Sequence, residues 1–197
     1  RGLASVIAAL GTDRFPRLIA GDAMLANATS GAVCGVEAYP VEIEVNAGRG
    51  EPVMILVGLP DTAVKESKDR VTTALTNSGF RLHLGRVTVN LAPADVRKEG
   101  PSFDLPIALG LLAAREDGLD PGVLRRYAVI GELALSGAVR KVKGVLPIAL
   151  RMKRDGFQGI LVPAENADEA AVVDGLEIYP VRTLREAADF LAGLRPL

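Results

Sequence analysis

The stretch Asn90-Leu-Ala-Pro-Ala-Asp-Val-Arg-Lys-Glu-Gly-Pro-Ser-Phe-Asp-Leu-Pro106 lies between two regular elements of different period. On its N-terminal side Val87-Thr-Val-Asn-Leu91 alternates apolar and polar residues, the two-residue period of a half-buried strand. On its C-terminal side an apolar run predicts a helix over 103–114 that residues 117–121 end. Ser102 or Asp104 stands where a side chain accepts the orphan N–H groups of that helix's first turn. Working outward, Val41-Glu-Ile-Glu-Val45 alternates again and Val53–Val57 is a short apolar run, with Gly48-Arg49-Gly50 reading as a hairpin turn between two strands. Pro60-Asp61 opens a helix through Val64, Val71, Ala74 and Leu75 that stops at Asn77-Ser78-Gly79, where glycine takes the left-handed cap. Downstream the pattern predicts a strand and turn over 127–135, a helix over Val145–Arg154 ending at Gly156, a strand at 160–163, a helix near 165–173, a strand at 178–181 and a last helix at 184–194. This alternation implies an α/β fold with α+β character, and the hairpin makes the expected sheet mixed rather than all-parallel, with helices packed on it.

The chain of 197 residues is long enough to bury a core without staples. Lys and Arg total 23 against 24 Asp and Glu, so no whole-chain cationic field draws nucleic acid or anionic membrane, and such a partner must be met by a local patch. Cys34 is the only cysteine and His83 the only histidine, which excludes a disulfide framework and a Cys/His zinc site and leaves His83 alone to serve any histidine-dependent triad. The reducing cytoplasm is the expected compartment. Apolar runs fall well short of the roughly 20 residues of a membrane helix, and residues 3–10 are too brief and poorly flanked for a signal peptide. The first methionine is Met24, so residues 1–23 are expected to be an upstream extension or a disordered segment, and 24–195 the folded domain.

No G-x-x-x-x-G-K-[ST] loop, no G-x-S-x-G elbow and no G-x-G-x-x-G fingerprint occurs in these residues. Three separated motifs do occur in order: Val57-Gly-Leu-Pro-Asp-Thr-Ala-Val-Lys-Glu-Ser67, the 90–106 stretch, and Gly131-Glu-Leu-Ala-Leu-Ser-Gly137. Together they resemble the N-terminal domain of the ComM/YifB family of magnesium-chelatase-like AAA+ ATPases. That resemblance implies a Lon-protease-like fold that precedes an ATPase module, expected downstream of Leu197, where ATP and Mg2+ would bind; no cofactor is expected in this chain. It further implies a hexameric ring acting on DNA, with branch migration and recombination during natural transformation as the family's work. The partners so implied are the chain's own ATPase module, further copies of itself, and DNA. Taking the chelatase name literally would instead place the chain in a metal-insertion complex, for which the sequence offers no porphyrin site.

The 90–106 stretch is also similar to the Lon proteolytic domain, whose nucleophilic serine lies in a Lys-Asp-Gly-Pro-Ser motif; Lys98-Glu-Gly-Pro-Ser102 matches with one acidic exchange. A serine nucleophile needs a lysine within hydrogen-bond reach to take its proton. Laying Gly131, Glu132 and Gly137 on the Lon pattern puts Gly144-Val145-Leu146 at the lysine turn, and Leu146 cannot be a base. The resemblance therefore implies a silent site with Ser102 as a vestigial nucleophile, the alternative being a Ser-Lys peptidase served by Lys143 or Lys141; as a plain structural residue Ser102 is a helix cap. Arg97 and Lys98 flank the serine loop, and Arg140, Lys141 and Lys143 place three cations within Val139-Arg-Lys-Val-Lys143. These five are candidate DNA-phosphate contacts, or else a solvated surface paired with Glu99 and Glu132. With aromatics at 4%, base-stacking platforms are not expected. His83 reads as an exposed loop residue, Cys34 as a small buried apolar one, and Asp61, Glu66 and Asp69 with Lys65, Lys68 and Arg70 as a locally paired helix face. Asp95, Glu99, Asp104 and Glu132 are the better acid group for a divalent ion, but no metal site is assigned to them.

Overall fold

The computed structural model describes residues 24–81, 85–115 and 118–197; the expected extension at 1–23, His83 and Asp117 lie outside the described residues. The chain opens with a long antiparallel hairpin, β1 (Met24–Cys34) and β2 (Glu37–Ala47), in register from Met24↔Ala47 to Cys34↔Glu37. Its two-residue turn begins at Gly35, whose φ of 64° is the left-handed value such turns favour. Then follow β3 (Val53–Val57), the short helix α1 (Thr62–Lys65), α2 (Ser67–Asn77) and β4 (Arg86–Ala92). A 3-10 turn at Pro101–Phe103 leads into α3 (Asp104–Ala113), and α4 (Pro121–Leu124) and β5 (Tyr127–Val129) come next. The second half adds β6 (Glu132–Leu133), β7 (Val139–Arg140), α5 (Val145–Arg154), β8 (Gly159–Pro163), a 3-10 turn at Ala164–Asn166, α6 (Ala167–Ala170), β9 (Glu177–Val181) and α7 (Leu184–Leu191).

Among the described residues seven strands form one mixed sheet in the order β3-β4-β2-β1-β5-β8-β9, and β6 pairs β7 in a small separate ribbon. The mixed α/β expectation is met, but the hairpin lies elsewhere than at 48–50. β4 inserts between β2 and β3, antiparallel to the first and parallel to the second, so Gly48-Arg49-Gly50 is a crossing and not a hairpin turn. A Cβ on Gly85 would stand 2.3 Å from the Gly48 carbonyl oxygen, which is why the crossing chain can lie so close over the start of β4. The real hairpin involves β1, which carries no sequence signal of strand because its core-facing residues Ala26, Ala28 and Ala32 are small.

Alternation along β2 and β4 buries Val41, Ile43, Val45, Val87, Val89 and Leu91 on one face. That face receives α3, every residue of which is buried, and the helix comes close because Gly110 has no Cβ to meet the Val45 side chain at 2.8 Å. On the opposite face α5 packs Ile148, Ala149 and Met152 over Ala128, Ile130, Ile160 and Val162. β8 is thus covered on both sides and reads as the continuous apolar run of an interior strand. Two further expectations are corrected. The helix expected near 165–173 is only a 3-10 turn and a single turn of α6, and Cys34 is exposed because β1 ends there, beyond the core.

Candidate functional site

The three sequence motifs meet at one place. The loop after β4 runs beside the turn after β3: Lys98 N–H donates to the Leu59 carbonyl at 3.2 Å, and Asp61 N–H to the Lys98 carbonyl at 3.0 Å. Leu59 holds a left-handed φ of 55°, and a Cβ on Gly58 would stand 2.1 Å from the Leu91 carbonyl oxygen. The Asp61 carboxylate caps α1, accepting from Val64 N–H at 2.7 Å, and with its other oxygen takes Gly100 N–H at 3.1 Å. Gly131 closes the arrangement, donating to the Ser102 carbonyl and accepting from Leu105 N–H, both at 3.0 Å.

Beneath this loop lies a buried network that no motif reading assigned. Asp104, fully buried at the first position of α3, accepts from Ser67 Oγ at 2.5 Å, Arg70 Nε at 2.7 Å, Arg70 Nη2 at 3.0 Å and Leu133 N–H at 3.2 Å. Burial pushes its carboxyl up from the ordinary range against the pull of these donors, while hydrogen bonding to Asp104 raises the Arg70 guanidinium further. Asp104 therefore belongs to an ion pair, not to a metal-ligand set. Its one legible signal is a charge opening an otherwise apolar helix. Arg70, expected on a solvated face, reaches Glu66 at 3.6 Å but spends its main contacts inward.

A cleft of about 380 Å³ opens beside the loop, bordered by Gly31 to Gly35 at the end of β1 and its turn, by Tyr39, Arg97, Glu99 and Ser102, and by Lys143 and Ile148. Lys143 is held there by a clamp. Asn166 Oδ1 accepts from Val142 N–H and its Nδ2 donates to the Val142 carbonyl, each at 3.0 Å; Glu169 accepts from Leu146 N–H at 3.1 Å. Leu146, in the first turn of α5, is half-buried against the core cluster of that helix. The Ser102 side chain caps no helix, contrary to the structural expectation for it, because the 3-10 turn places the start of α3 at Asp104. Among the described residues its hydroxyl has no hydrogen-bond partner. Tyr39 donates to the Arg97 carbonyl at 3.1 Å, and burial, with Cys34 and Glu99 adding, raises its phenol.

Of the five candidate phosphate contacts, Arg97, Arg140, Lys141 and Lys143 are exposed. Arg97 pairs with Glu99 at 3.5 Å and Arg140 with Glu132 at 3.3 Å, as the solvated-surface reading expects. Lys98 is a correction: it is 0% exposed, its ammonium donates to the Pro93 carbonyl, and burial lowers its pKa, so it cannot meet a ligand. Among the described residues no group of three or more His, Cys, Asp or Glu side chains is placed to hold a metal ion, and no helix is long and apolar enough to cross a membrane.

A seven-strand mixed sheet with helices packed on it is the architecture of a Lon-like α/β domain. The chain belongs to the family described as subunit ChlI of Mg-chelatase, whose model matches residues 43–166. It is 44% identical over 173 residues to the competence protein ComM of Haemophilus influenzae, covering 88% of this chain and 34% of that protein. It is 42% identical over 166 residues to the protein YifB of Escherichia coli, covering 84% and 32%. A weaker likeness, 30% over 127 residues, covers 64% of this chain and 22% of Lon protease 2 of Bacillus subtilis. The chain spans about a third of the length of the ComM and YifB relatives.

Proposed function

We propose that this chain is a non-catalytic Lon-like domain of a ComM/YifB-type AAA+ ATPase, which organises subunits and guides DNA during branch migration and recombination. The observation that carries the reading is the exposure of Arg140, Lys141 and Lys143 on one clamped segment, of which Lys143 borders the same cleft as Ser102 and Arg97. Exposed cations so placed suit phosphates, which position a nucleic acid without reading its sequence. ATP and Mg2+ belong to the ATPase module of the reading, because these 197 residues contain no phosphate-binding loop. The Haemophilus relative carries the name competence protein, which accords with the reading of a role in natural transformation.

The test is the affinity of the chain for a branched DNA junction across a salt series. Binding should weaken steeply with salt, and changing Arg140, Lys141 and Lys143 together to Glu should reduce the slope of log affinity against log salt by about 2–3, near 0.9 per lost phosphate contact. Salt-independent binding, or none, removes the DNA part of the proposal. A Ser-Lys peptidase is the second reading, favoured by Ser102 and Lys143 bordering the same cleft. It requires peptide turnover that Ser102→Ala abolishes.

A further inference from the structure

The seven-stranded sheet ends in two unlike edges. At one end β9 is paired to β8, with Glu177 N–H donating to the Gln158 carbonyl at 3.4 Å, so Glu177, Tyr179 and Val181 direct their backbone groups inward while Ile178 and Pro180 direct theirs outward. Pro180 has no N–H, and this edge lacks the donor that a further strand would take there. At the other end β3 is paired to β4 alone. Val53 N–H donates to the Gly85 carbonyl at 3.3 Å, so Val53, Ile55 and Val57 spend their backbone groups on β4, and Met54 and Leu56 turn theirs outward. Neither makes a backbone hydrogen bond outside its own sheet among the described residues. Residues 52–60 hold no charged side chain, and Val53 and Val57 are 42% and 41% exposed. Natural sheets ordinarily blunt so regular and uncharged an edge.

We propose that β3 is a self-pairing edge, along which two copies of this chain join antiparallel about a two-fold axis at Ile55 and continue one sheet through both. In an isologous contact each residue meets the one equally far on the other side of the axis, so Val53 meets Val57, Met54 meets Leu56 and Ile55 meets itself. The outward residues are the two that this symmetry sets opposite each other, and each Met54–Leu56 pair exchanges both of its N–H···O bonds. A slip of one residue would set outward groups against spent ones. Pro52 faces outward by the same alternation and has no N–H, which ends the ladder at these five residues. A two-fold axis also brings like side chains together, and an edge without charge does not repel its own copy. Five residues span about 17 Å, and their contact falls short of the roughly 1,200 Å² of a stable complex. The pairing is therefore weak between free chains and takes hold where copies are already kept close. Being closed, it does not propagate around a ring, and it does not depend on whether the chain meets DNA.

The experiment is disulfide trapping on the 197-residue chain in a Cys34→Ser background, which removes the only native cysteine. Facing residues of a pair without ladder bonds have Cα atoms about 4.5 Å apart, within reach of a disulfide. Ile55→Cys should therefore give a cross-linked dimer with copper–phenanthroline as oxidant. Val53→Cys alone and Val57→Cys alone should cross-link at least about tenfold less, each standing about 13 Å from its own copy, whereas the two mixed should cross-link as Ile55→Cys does. Sedimentation velocity of the unaltered chain between about 10 μM and about 1 mM should show monomer giving way to dimer. Ile55→Lys, which sets two ammonium groups face to face at the axis, should raise the dimer dissociation constant at least about tenfold. The cysteine variants keep a small apolar side chain on the strand, so an Ile55→Lys chain that failed to fold would not decide the matter. Val53→Cys cross-linking to itself as readily as Ile55→Cys overturns the proposal. An unaltered chain that stays monomeric at millimolar concentration, or forms larger assemblies in which Ile55→Cys does not cross-link, overturns it as well.

Discussion

Asp104 holds three parts of the molecule together through one carboxylate: Ser67 and Arg70 on α2, its own helix α3, and the backbone of β6 at Leu133. Removing one partner of a buried ion pair leaves the other uncompensated. Asp104→Ala is expected to lower the unfolding free energy by about 3–5 kcal/mol in urea titrations, with Arg70→Ala giving a loss of the same order. If Asp104→Ala cost no more than an ordinary surface change, the network would be incidental. Lys98 makes a pH prediction. Its folded pKa lies below the ordinary lysine value of 10.5, so at alkaline pH the unfolded chain keeps a proton that the folded chain has lost. Stability from this residue therefore rises as pH climbs through the folded value toward 10.5, and Lys98→Met should remove that rise. Thermal unfolding of both proteins across alkaline pH measures it; parallel curves would refute the assignment.

At the scale of elements, the clamp on the segment before α5 is a pair of hydrogen bonds between the Asn166 amide and the Val142 backbone. Asn166→Ala leaves a buried N–H and C=O unsatisfied and should cost about 2 kcal/mol or more by denaturant unfolding. Because the segment carries Lys141 and Lys143, the same variant should also weaken any anion binding there. Where β3 meets β4, Gly58→Ala should destabilise by about 2 kcal/mol or more in the same assay, since its φ is 97° and its Cβ would strike the Leu91 carbonyl. A near-neutral result would mean the turn relaxes freely. Elements whose signal is local were legible: Val145–Arg154 is the helix that periodicity and Gly156 predict, β3 coincides with its apolar run, and β4 falls within a residue of its alternation. β1 was not legible, because a strand whose inner face is mostly alanine has no hydrophobic contrast to read. Its evidence of being a strand lies wholly in its partner β2.

At the scale of the whole molecule, a net charge of -1 conceals the local placement of exposed cations: Arg97 and Lys143 border one cleft, and Arg140 and Lys141 are exposed on the segment that carries Lys143. Overall charge governs solubility, whereas local placement governs encounter with anions, so under the proposed function the salt dependence to be measured is a property of these side chains and not of the composition. The motifs that identify the family are at the same time the motifs that build the site. Asp61, the 100–104 turn with Gly100, Ser102 and Asp104, and Gly131 come from three separate parts of the chain, yet Gly100 bonds to Asp61 and Ser102 to Gly131 directly.

The sequence by itself determined the mixed α/β class, the family, and most helix and strand positions, because each is written in local period or residue identity. Only the tertiary structure decided which strand lies beside which, that Lys98 is buried while Lys143 is exposed, that Asp104 pairs with Arg70 instead of a metal, and that β3 ends the sheet with an open edge. Those outcomes depend on contacts between residues 30 or more positions apart, where packing sets burial and pairing and no local pattern records the partner.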